Sequence, residues 1–257
     1  MSRRLIDLSV AIETGIASDP PPLRPVIRYW SHGETFHQIA PFFPGLKQED
    51  LPDGEAWAVE DMQVNPHNGT HMDAPWHYHS TAGGQPAPTI DQTPLDYCFR
   101  PGVKLDFRGF EDGYVASADD VRAELDRIGY AIQPLDIVLV NTRAASRYGQ
   151  EDYLMAGCGI GRDATLYLTS LGVKVVGTDA WSWDAPFGHT ARKFAESGDP
   201  SIIWEGHKAG REAPYWQMEK LHNLESLPPF GFEVICFPVK IKGASAGWTR
   251  AVAMFDE

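Results

Sequence analysis

Continuous apolar runs separated by a helical pattern mark the middle of the chain. Residues 136–141, Asp-Ile-Val-Leu-Val-Asn, form a β-branched run typical of strands that are buried on both faces. Residues 162–170 predict a helix, and residues 173–177, Val-Lys-Val-Val-Gly, form a further apolar run. A strand, a helix and a strand in this order predict a parallel pair of strands.

Shorter apolar runs predict the rest of a sheet. A helix is predicted to begin at Ser117, because Ser-Ala-Asp-Asp supplies an N-cap and an acidic residue three positions later, and Gly129 ends it. Strands that alternate with helices predict an α/β protein, and the 257 residues can form one domain over residues 1–257. The remaining strands are predicted at residues 5–10, 56–64, 102–107, 232–237 and 251–255.

Residues 18–53 interrupt this pattern. The segment contains Asp-Pro-Pro-Pro-Leu-Arg-Pro and mixes polar with aromatic residues, so it predicts a long excursion without regular structure. Loops of this length in a compact domain usually serve a function. Phe36, Phe42 and Phe43 in this loop are therefore candidates to cover a substrate pocket, and ordinary packing within the loop is the alternative.

The charge balance argues against two classes of partner. Lys and Arg number 22 against 35 Asp and Glu, which gives a net charge of −13. This charge repels polyanions, so we expect neither a nucleic acid nor an anionic membrane as a partner. The first residues lack an apolar run long enough for a signal peptide, and no stretch approaches the roughly 20 apolar residues of a membrane span. We therefore expect a cytoplasmic protein.

Candidate chemistry is densest in residues 67–77, His-Asn-Gly-Thr-His-Met-Asp-Ala-Pro-Trp-His. Neutral imidazole and carboxylate groups are ligands for Zn²⁺, Mn²⁺ and Fe²⁺. Gly69 permits a tight bend, and the prolines on either side oppose a long helix. In an extended chain after the bend, His71 and Asp73 point to one face. His67, which lies in the turn, would then supply a third ligand. The segment predicts a divalent metal site; scattered surface polar residues are the alternative.

The pattern His-x-Gly-Thr-His-x-Asp-x-Pro-x-His resembles the signature of the cyclase family of metal-dependent hydrolases, which includes bacterial kynurenine formamidases and isatin hydrolases. All seven fixed positions are matched. The resemblance implies that His67, His71 and Asp73 bind the metal and that His77 is a catalytic acid/base. It also implies a homodimer or homotetramer, and an α/β fold with a mixed, partly barrel-like β core flanked by helices, of the swivelling β/β/α type.

The resemblance also implies a second group of metal ligands farther along the chain. In the family a later His and Glu complete a second metal site, and His207 and Glu219 resemble this pair. The segment Met-Glu-Lys-Leu-His-Asn-Leu around Glu219 is similar to the family's Glu-Asn-Leu-rich segment. Some isatin hydrolases have a glutamine in place of this glutamate, so Glu219 favours the two-metal type. The implied cofactor is one or two divalent ions, Zn²⁺ or Mn²⁺.

Aromatic and acidic residues near these motifs receive provisional roles. Trp76 directly precedes His77 and is predicted to contact the substrate, because aromatic residues beside a metal suit a flat ligand. Trp181 and Trp204 are assigned to the core rather than to the pocket. Asp179 follows a predicted strand, and we favour a support role, in which it accepts hydrogen bonds from loop amides, over a catalytic one.

Together these features predict a metal-dependent hydrolase that cleaves the C–N bond of a small aromatic amide or lactam, such as N-formylkynurenine or isatin. A bound metal ion lowers the pKa of water to roughly 7, and His77 would carry a proton to the leaving nitrogen. Two alternatives stay open. Two His and one Asp also describe the facial triad of Fe(II) oxygenases, and a non-catalytic metal-binding protein of the same fold would need no His77.

Overall fold

A curled sheet of nine strands forms the centre of the computed structural model, which describes residues 3–256. Six further short strands form three two-stranded pairs within the described range. The strands in chain order are β1 (Arg3–Asp7), β2 (Val26–Trp30), β3 (Val59–Gln63), β4 (His71–Asp73), β5 (Thr81–Ala82), β6 (Gln85–Pro86), β7 (Phe99–Asp106), β8 (Val115–Ala116), β9 (Ile137–Asn141), β10 (Gly159–Ile160), β11 (Val175–Thr178), β12 (Trp216–Glu219), β13 (Phe232–Ile235), β14 (Ala246–Trp248) and β15 (Val252–Asp256).

The nine-stranded sheet is mixed, with a parallel centre and antiparallel flanks. Its strand order is β1-β15-β13-β7-β9-β11-β12-β4-β14. The neighbours β7, β9, β11 and β12 run parallel, whereas the other pairings are antiparallel. The predicted α/β class with a mixed, partly barrel-like β core is therefore confirmed.

Helices flank this sheet, and short 3-10 turns fill many of the connections. Two of the longer helices, α3 and α4, contact each other, and α3 also contacts β7. None of the helices in the described range is long and apolar enough to pass through a membrane. The helices are α1 (Phe36–Ile39), α2 (Pro75–Tyr78), α3 (Ala118–Ile128), α4 (Arg162–Ser170), α5 (Phe187–Ser197) and α6 (Glu205–Ala209).

Side chains of the central strands alternate between two apolar clusters. Ile137 and Leu139 of β9 lie in one cluster, while Val138 and Val140 lie in the other with residues of α3 and α4. Because successive side chains of a strand point to opposite faces, a continuous apolar run is needed where both faces are covered. This explains why residues 136–141 lack a polar alternation.

The strand-helix-strand unit in the middle of the chain is confirmed. Helix α4 spans the predicted residues 162–170, and β9 and β11 on either side of it are parallel neighbours. Helix α3 begins and ends as predicted: the Ser117 side chain accepts a hydrogen bond from the backbone N–H of Asp120, and Gly129 has a φ of 68° at the C-cap. Glycine suits this left-handed position because it lacks a Cβ.

The prediction that residues 18–53 lack regular structure is wrong in part. Strands β2 and β3 pair along their full length, Val26 with Gln63 and Trp30 with Val59, and they enclose short helical turns. We call residues 26–63 the arm. Neither face of its hairpin is fully covered, so its strands lack the hydrophobic alternation that identifies a half-buried strand.

Three short strands that the sequence did not predict support the site. Strand β4 lies between β12 and β14, and all three contain only three or four residues. Apolar patterns over so few residues do not distinguish a strand from a loop. The extended chain expected at His71 and Asp73 is nevertheless confirmed as β4.

Candidate active site

The floor of the candidate site is the antiparallel pair formed by β4 and β12. In this register His71 lies opposite Glu219, and Asp73 lies opposite Gln217. Side chains two residues apart in a strand share a face, so these four polar side chains point the same way, and Met72 and Met218 point into an apolar cluster on the other side. All four polar side chains are buried.

The bend before β4 brings His67 over this floor. Gly69 has a φ of 60°, and a Cβ on it would lie 2.8 Å from Cγ1 of Ile12. The position therefore requires glycine for both conformation and space. His67 Nδ1 lies 2.8 Å from Asp73 Oδ1, and its Nε2 lies 3.0 Å from the hydroxyl of Ser245.

Two buried polar atoms at the centre of the site have no hydrogen-bond partner. The His71 ring can donate through Nδ1 to the carbonyl of Gly69 at 3.0 Å, which leaves Nε2 as a lone pair. This Nε2 atom and Asp73 Oδ1 lie 3.3 Å apart, and neither makes a hydrogen bond of good geometry, although His67 Nδ1 lies 2.8 Å from the same Asp73 oxygen. Buried polar groups rarely stay unpartnered, and a divalent cation would satisfy both, so His67, His71 and Asp73 fit a metal ion.

The charge of the surroundings also suits a cation. Burial and the nearby Asp73 carboxylate raise the pKa of Glu219 well above its usual value. Burial also raises the pKa of Asp73, but the surrounding imidazoles outweigh it and hold that pKa well below its usual value. Glu219 Oε2 lies 3.5 Å from His71 Nε2, so it is a further potential ligand.

His207 lies beside this cluster on α6 and is oriented by Asp184. The carboxylate of Asp184 accepts hydrogen bonds from the backbone N–H of Gly206, at 2.7 Å, and from His207 at its backbone N–H and ring Nδ1. A proton on Nδ1 leaves Nε2 free to accept, and this atom lies 3.9 Å from Asp73 Oδ2 and 3.6 Å from Glu219 Oε1. Such a carboxylate contact fixes both the tautomer and the direction of the ring.

His77 stands at the edge of the cluster. It lies on α2, the short helix that Pro75 begins, and its Nε2 is 3.9 Å from Asp73 Oδ2. Burial lowers the pKa of His77 to about 4, although the Asp73 carboxylate opposes this shift. The ring is therefore neutral at pH 7 and able to accept a proton.

A cavity of about 600 Å³ opens above these residues. His67, His77, His207 and Glu219 line it, whereas Trp76 and Phe36 are not among its lining residues. Trp76 is 45% exposed on the outer side of α2. The structure thus brings together the six polar residues that the sequence selected, and the proposed substrate contacts of the two aromatic residues stay predictions.

The aromatic lining of the cavity comes from Trp181, Phe187 and Trp204, none of which was predicted to lie in the pocket. Trp181 and Trp204 both line the cavity, so the assignment of Trp204 to the core is wrong, while Trp181 lines the cavity and also packs against a small apolar cluster. The Trp204 ring stacks on His207 with centroids 4.4 Å apart and meets His77 edge-on at 5.3 Å. Its backbone has a φ of 59°, which is uncommon for a bulky residue. No pattern in the sequence indicates this conformation.

A buried ion pair between Lys220 and Asp19 contacts the bend that carries His67. Lys220, the one Lys or Arg among the described lining residues, donates to the Asp19 carboxylate and, at 2.8 Å, to the His67 carbonyl. Asp19 also accepts from the side chains of Asn68, at 3.1 Å, and Trp181, at 3.2 Å. The pair therefore fixes the bend that carries His67. Sequence reasoning missed it because its two members are 201 positions apart.

Asp179 lies at the ends of the central strands. Its carboxylate accepts hydrogen bonds from the backbone N–H of Thr142, at 3.0 Å, from the Thr142 hydroxyl, at 2.6 Å, and from the Asn141 amide, at 2.8 Å. These contacts agree with the expected support role. Burial nevertheless raises the pKa of Asp179 to about 7.

The fold and this cluster of imidazoles and carboxylates together define the class of protein. The Cyclase family model matches residues 6–185, which is more than half of the chain. The protein belongs to the cyclase family of hydrolases. The resemblance inferred from residues 67–77 is therefore confirmed.

Two kinds of relative extend this comparison. A kynurenine formamidase of Sphingopyxis alaskensis is 26% identical over 236 residues, which cover 88% of this chain and 97% of the relative. An isatin hydrolase bound to the product analogue thioisatinate has a TM-score of 0.74 and 21% identity, covering 99% of this chain and 93% of the other. Isatin hydrolase A of Ralstonia solanacearum has a TM-score of 0.76 and 21% identity, with 99% and 92% covered. These solved structures share the fold.

Proposed function

We propose that this protein is a metal-dependent amidohydrolase that cleaves the C–N bond of a small aromatic amide or lactam. One observation carries the proposal: the buried His71 Nε2 and Asp73 Oδ1 atoms have no partner and face each other beneath the cavity. The neutral His77 ring at the same cavity supports a hydrolytic rather than a purely structural site. The kynurenine formamidase relative is consistent with amide hydrolysis.

His67, His71 and Asp73 would hold the ion, because Asp73 belongs to two groups of potential ligands, one with His67 and His77 and the other with His71 and Glu219. Glu219 Oε2, 3.5 Å from His71 Nε2, is within reach of a fourth position. When bound, a divalent ion at such a site supplies Lewis-acid polarisation of a carbonyl and lowers the pKa of water to roughly 7. The ligand types suit Zn²⁺ and Mn²⁺ alike. Ser245 would fix His67 by a hydrogen bond at Nε2, which leaves Nδ1 directed at the centre.

His77 would move the proton that amide cleavage requires. An amide nitrogen is a poor leaving group unless it is protonated, so a general acid must deliver a proton to it. His77 is neutral at pH 7, accepts a proton from the attacking water and returns it to the leaving nitrogen. Its position 3.9 Å from Asp73 Oδ2 keeps the resulting imidazolium close to a carboxylate.

The shape and lining of the cavity support an aromatic substrate. Its volume of about 600 Å³ lies in the range usual for small-molecule sites. Trp181, Phe187 and Trp204 offer flat apolar surfaces around the polar floor. N-formylkynurenine and isatin combine an aromatic ring with a hydrolysable C–N bond, and we propose them as the first substrates to try.

The direct experiment is to load the purified protein with Zn²⁺ or Mn²⁺ and to follow the hydrolysis of both compounds by absorbance, with oxygen uptake recorded in parallel. The proposal expects product without oxygen consumption. Consumption of O₂ during turnover of an Fe(II)-loaded sample would instead favour the facial-triad oxygenase. Full metal occupancy without hydrolysis across a panel of amides, lactams and esters would favour a non-catalytic metal-binding protein.

A further inference from the structure

The two carboxylate oxygens of Asp73 have different neighbours. Its Oδ1 atom faces His67 and the unpartnered His71 Nε2, whereas its Oδ2 atom accepts a hydrogen bond from the Gln217 amide at 3.3 Å. We infer that the Gln217 amide takes the position of a second cation, so that the centre binds one divalent ion and not two. This inference rests on the proposed function, because it concerns the metal content of the same site.

The contacts of the Gln217 amide nitrogen define that position. This Nε2 atom lies 2.6 Å from His207 Nε2, 2.9 Å from Glu219 Oε1 and 3.3 Å from Asp73 Oδ2. A second ion bridged by Asp73 would need these same three atoms as ligands, at about 2.0–2.2 Å. The amide group lies among them at hydrogen-bonding distances and leaves no room for the ion.

The orientation of the amide follows from its neighbours. Gln217 Oε1 lies 3.0 Å from the Tyr215 hydroxyl, whose single proton is shared with the Gly206 carbonyl at 2.9 Å, so the orientation rests on the acceptors around the other end of the amide. The reverse orientation would direct Oε1 at two carboxylate oxygens and an imidazole lone pair, all of which are acceptors. Because Asp184 holds the proton of His207 on Nδ1, His207 Nε2 needs a donor, and the Gln217 amide supplies it.

Gln217 cannot easily leave this position. It is fully buried in the middle of β12, and its backbone is paired in register with Asp73 on one side and Val176 on the other. An amide donor also reduces the repulsion between the Asp73 and Glu219 carboxylates without adding a full positive charge. The assignment of His207 and Glu219 as ligands of a second ion is therefore replaced by a role in holding the amide.

Metal counting tests the inference directly. Metal-free protein is incubated with excess Zn²⁺ or Mn²⁺ and desalted, and the bound metal is measured by elemental analysis. We expect one ion per chain, and the Mn²⁺ form should show the electron paramagnetic resonance spectrum of isolated ions without exchange coupling. Two ions per chain with a coupled spectrum would overturn the inference while leaving the hydrolase proposal intact, whereas no bound metal would overturn the hydrolase proposal itself.

Substitutions of Gln217 and His207 test the same inference through the metal content and the affinity for the metal. Gln217→Ala should raise the content to two ions per chain, and the double variant Gln217→Ala/His207→Ala should return it to one. His207→Ala alone should change the dissociation constant of the single ion by less than about threefold, while His71→Ala should weaken it by at least about 100-fold. If His207→Ala instead lowers the content of the wild type from two ions to one, His207 is a ligand and the inference fails.

Discussion

At the residue scale, the separate roles proposed for Asp73 and His77 can be tested by substitution. Asp73 touches the rings of His67 and His71 and lies between the two halves of the site. His77 lines the cavity but makes no hydrogen bond to a ligand among the described contacts. We therefore propose that Asp73 holds the metal and that His77, which also lies within a group of potential ligands with His67 and Asp73, moves a proton.

His77→Ala should lower turnover by about 10²–10⁴-fold, the usual contribution of a general acid or base, and should leave the metal content unchanged. Asp73→Ala should lose both metal and turnover. Steady-state kinetics and elemental analysis on the same samples measure the two effects. His79→Ala is the matched control, because His79 is exposed and its ring bonds only to Thr81 among the described contacts. Loss of metal from His77→Ala would contradict the assigned role.

The sequence predicted most of the site at this scale because its key residues are close together along the chain. Four of them lie within residues 67–77, where a glycine bend and an extended strand bring ligands to one face. Gln217 and Trp204 could not be found in this way. The place of Gln217 depends on the pairing of β12 with β4, and that of Trp204 on a left-handed backbone conformation.

At the element scale, the central strands are joined at their ends by Asp179, which follows β11 and binds the end of β9 through Asn141 and Thr142. Its pKa of about 7 in the folded state lies above the ordinary value of 3.8. The folded protein therefore binds a proton that the unfolded chain releases between these two values. The stabilisation that comes from this proton is complete below pH 4 and is lost as the pH rises through 7.

Asp179 should accordingly lower the stability of the metal-free protein between pH 4 and pH 7 by up to about 1.4 kcal/mol per pH unit, whereas His77, whose pKa is lowered to about 4, contributes a slope of the opposite sign below its ordinary pKa of 6.5. Urea unfolding at several pH values measures this slope. Asp179→Asn cannot titrate, so the stability of the variant relative to the wild type should rise as the pH increases from 4 to 7, while the histidine contributions cancel in this difference. Asp126→Asn, at an exposed position on α3, is the control and should keep the wild-type slope. Equal slopes in the wild type and Asp179→Asn would show that Asp179 keeps an ordinary pKa.

The elements themselves were predictable to different degrees. The central β9-α4-β11 unit could be located because burial on both faces leaves a continuous apolar run. Strand β3 lies within the strand predicted at residues 56–64, but its partner β2 and the short strands β12 and β14 could not be located, since strands of three to five residues with partly exposed or polar side chains carry too little periodicity. The site depends on β12, so the short strands limit what sequence reasoning can predict.

At the scale of the whole molecule, the arm presents apolar side chains to solvent. Tyr29 is 65% exposed, Phe42 71% and Phe43 56%. Large apolar side chains exposed on one segment make that segment a candidate interaction surface. We propose that a second copy of this chain covers the arm, in agreement with the homodimer or homotetramer that the family resemblance implies.

Light scattering after gel filtration should therefore give at least the mass of a dimer for the wild type. The double variant Phe42→Asp/Phe43→Asp should shift the protein toward the monomer, because it places two charges in the proposed contact. Leu95→Asp is the matched control, since Leu95 is 73% exposed but lies outside the arm. A monomeric wild type, or an unchanged mass in the double variant, would contradict this role of the arm.

The measurement that tests the central claim most directly is the hydrolysis rate of metal-free protein as Zn²⁺ or Mn²⁺ is added, with N-formylkynurenine and isatin as substrates. We expect no turnover of either compound after chelation. Turnover of at least one compound should rise with added metal to a plateau at one equivalent per chain. A rate that survives chelation, or a fully loaded protein that hydrolyses neither substrate, would contradict the proposal of a metal-dependent aryl amide or lactam hydrolase.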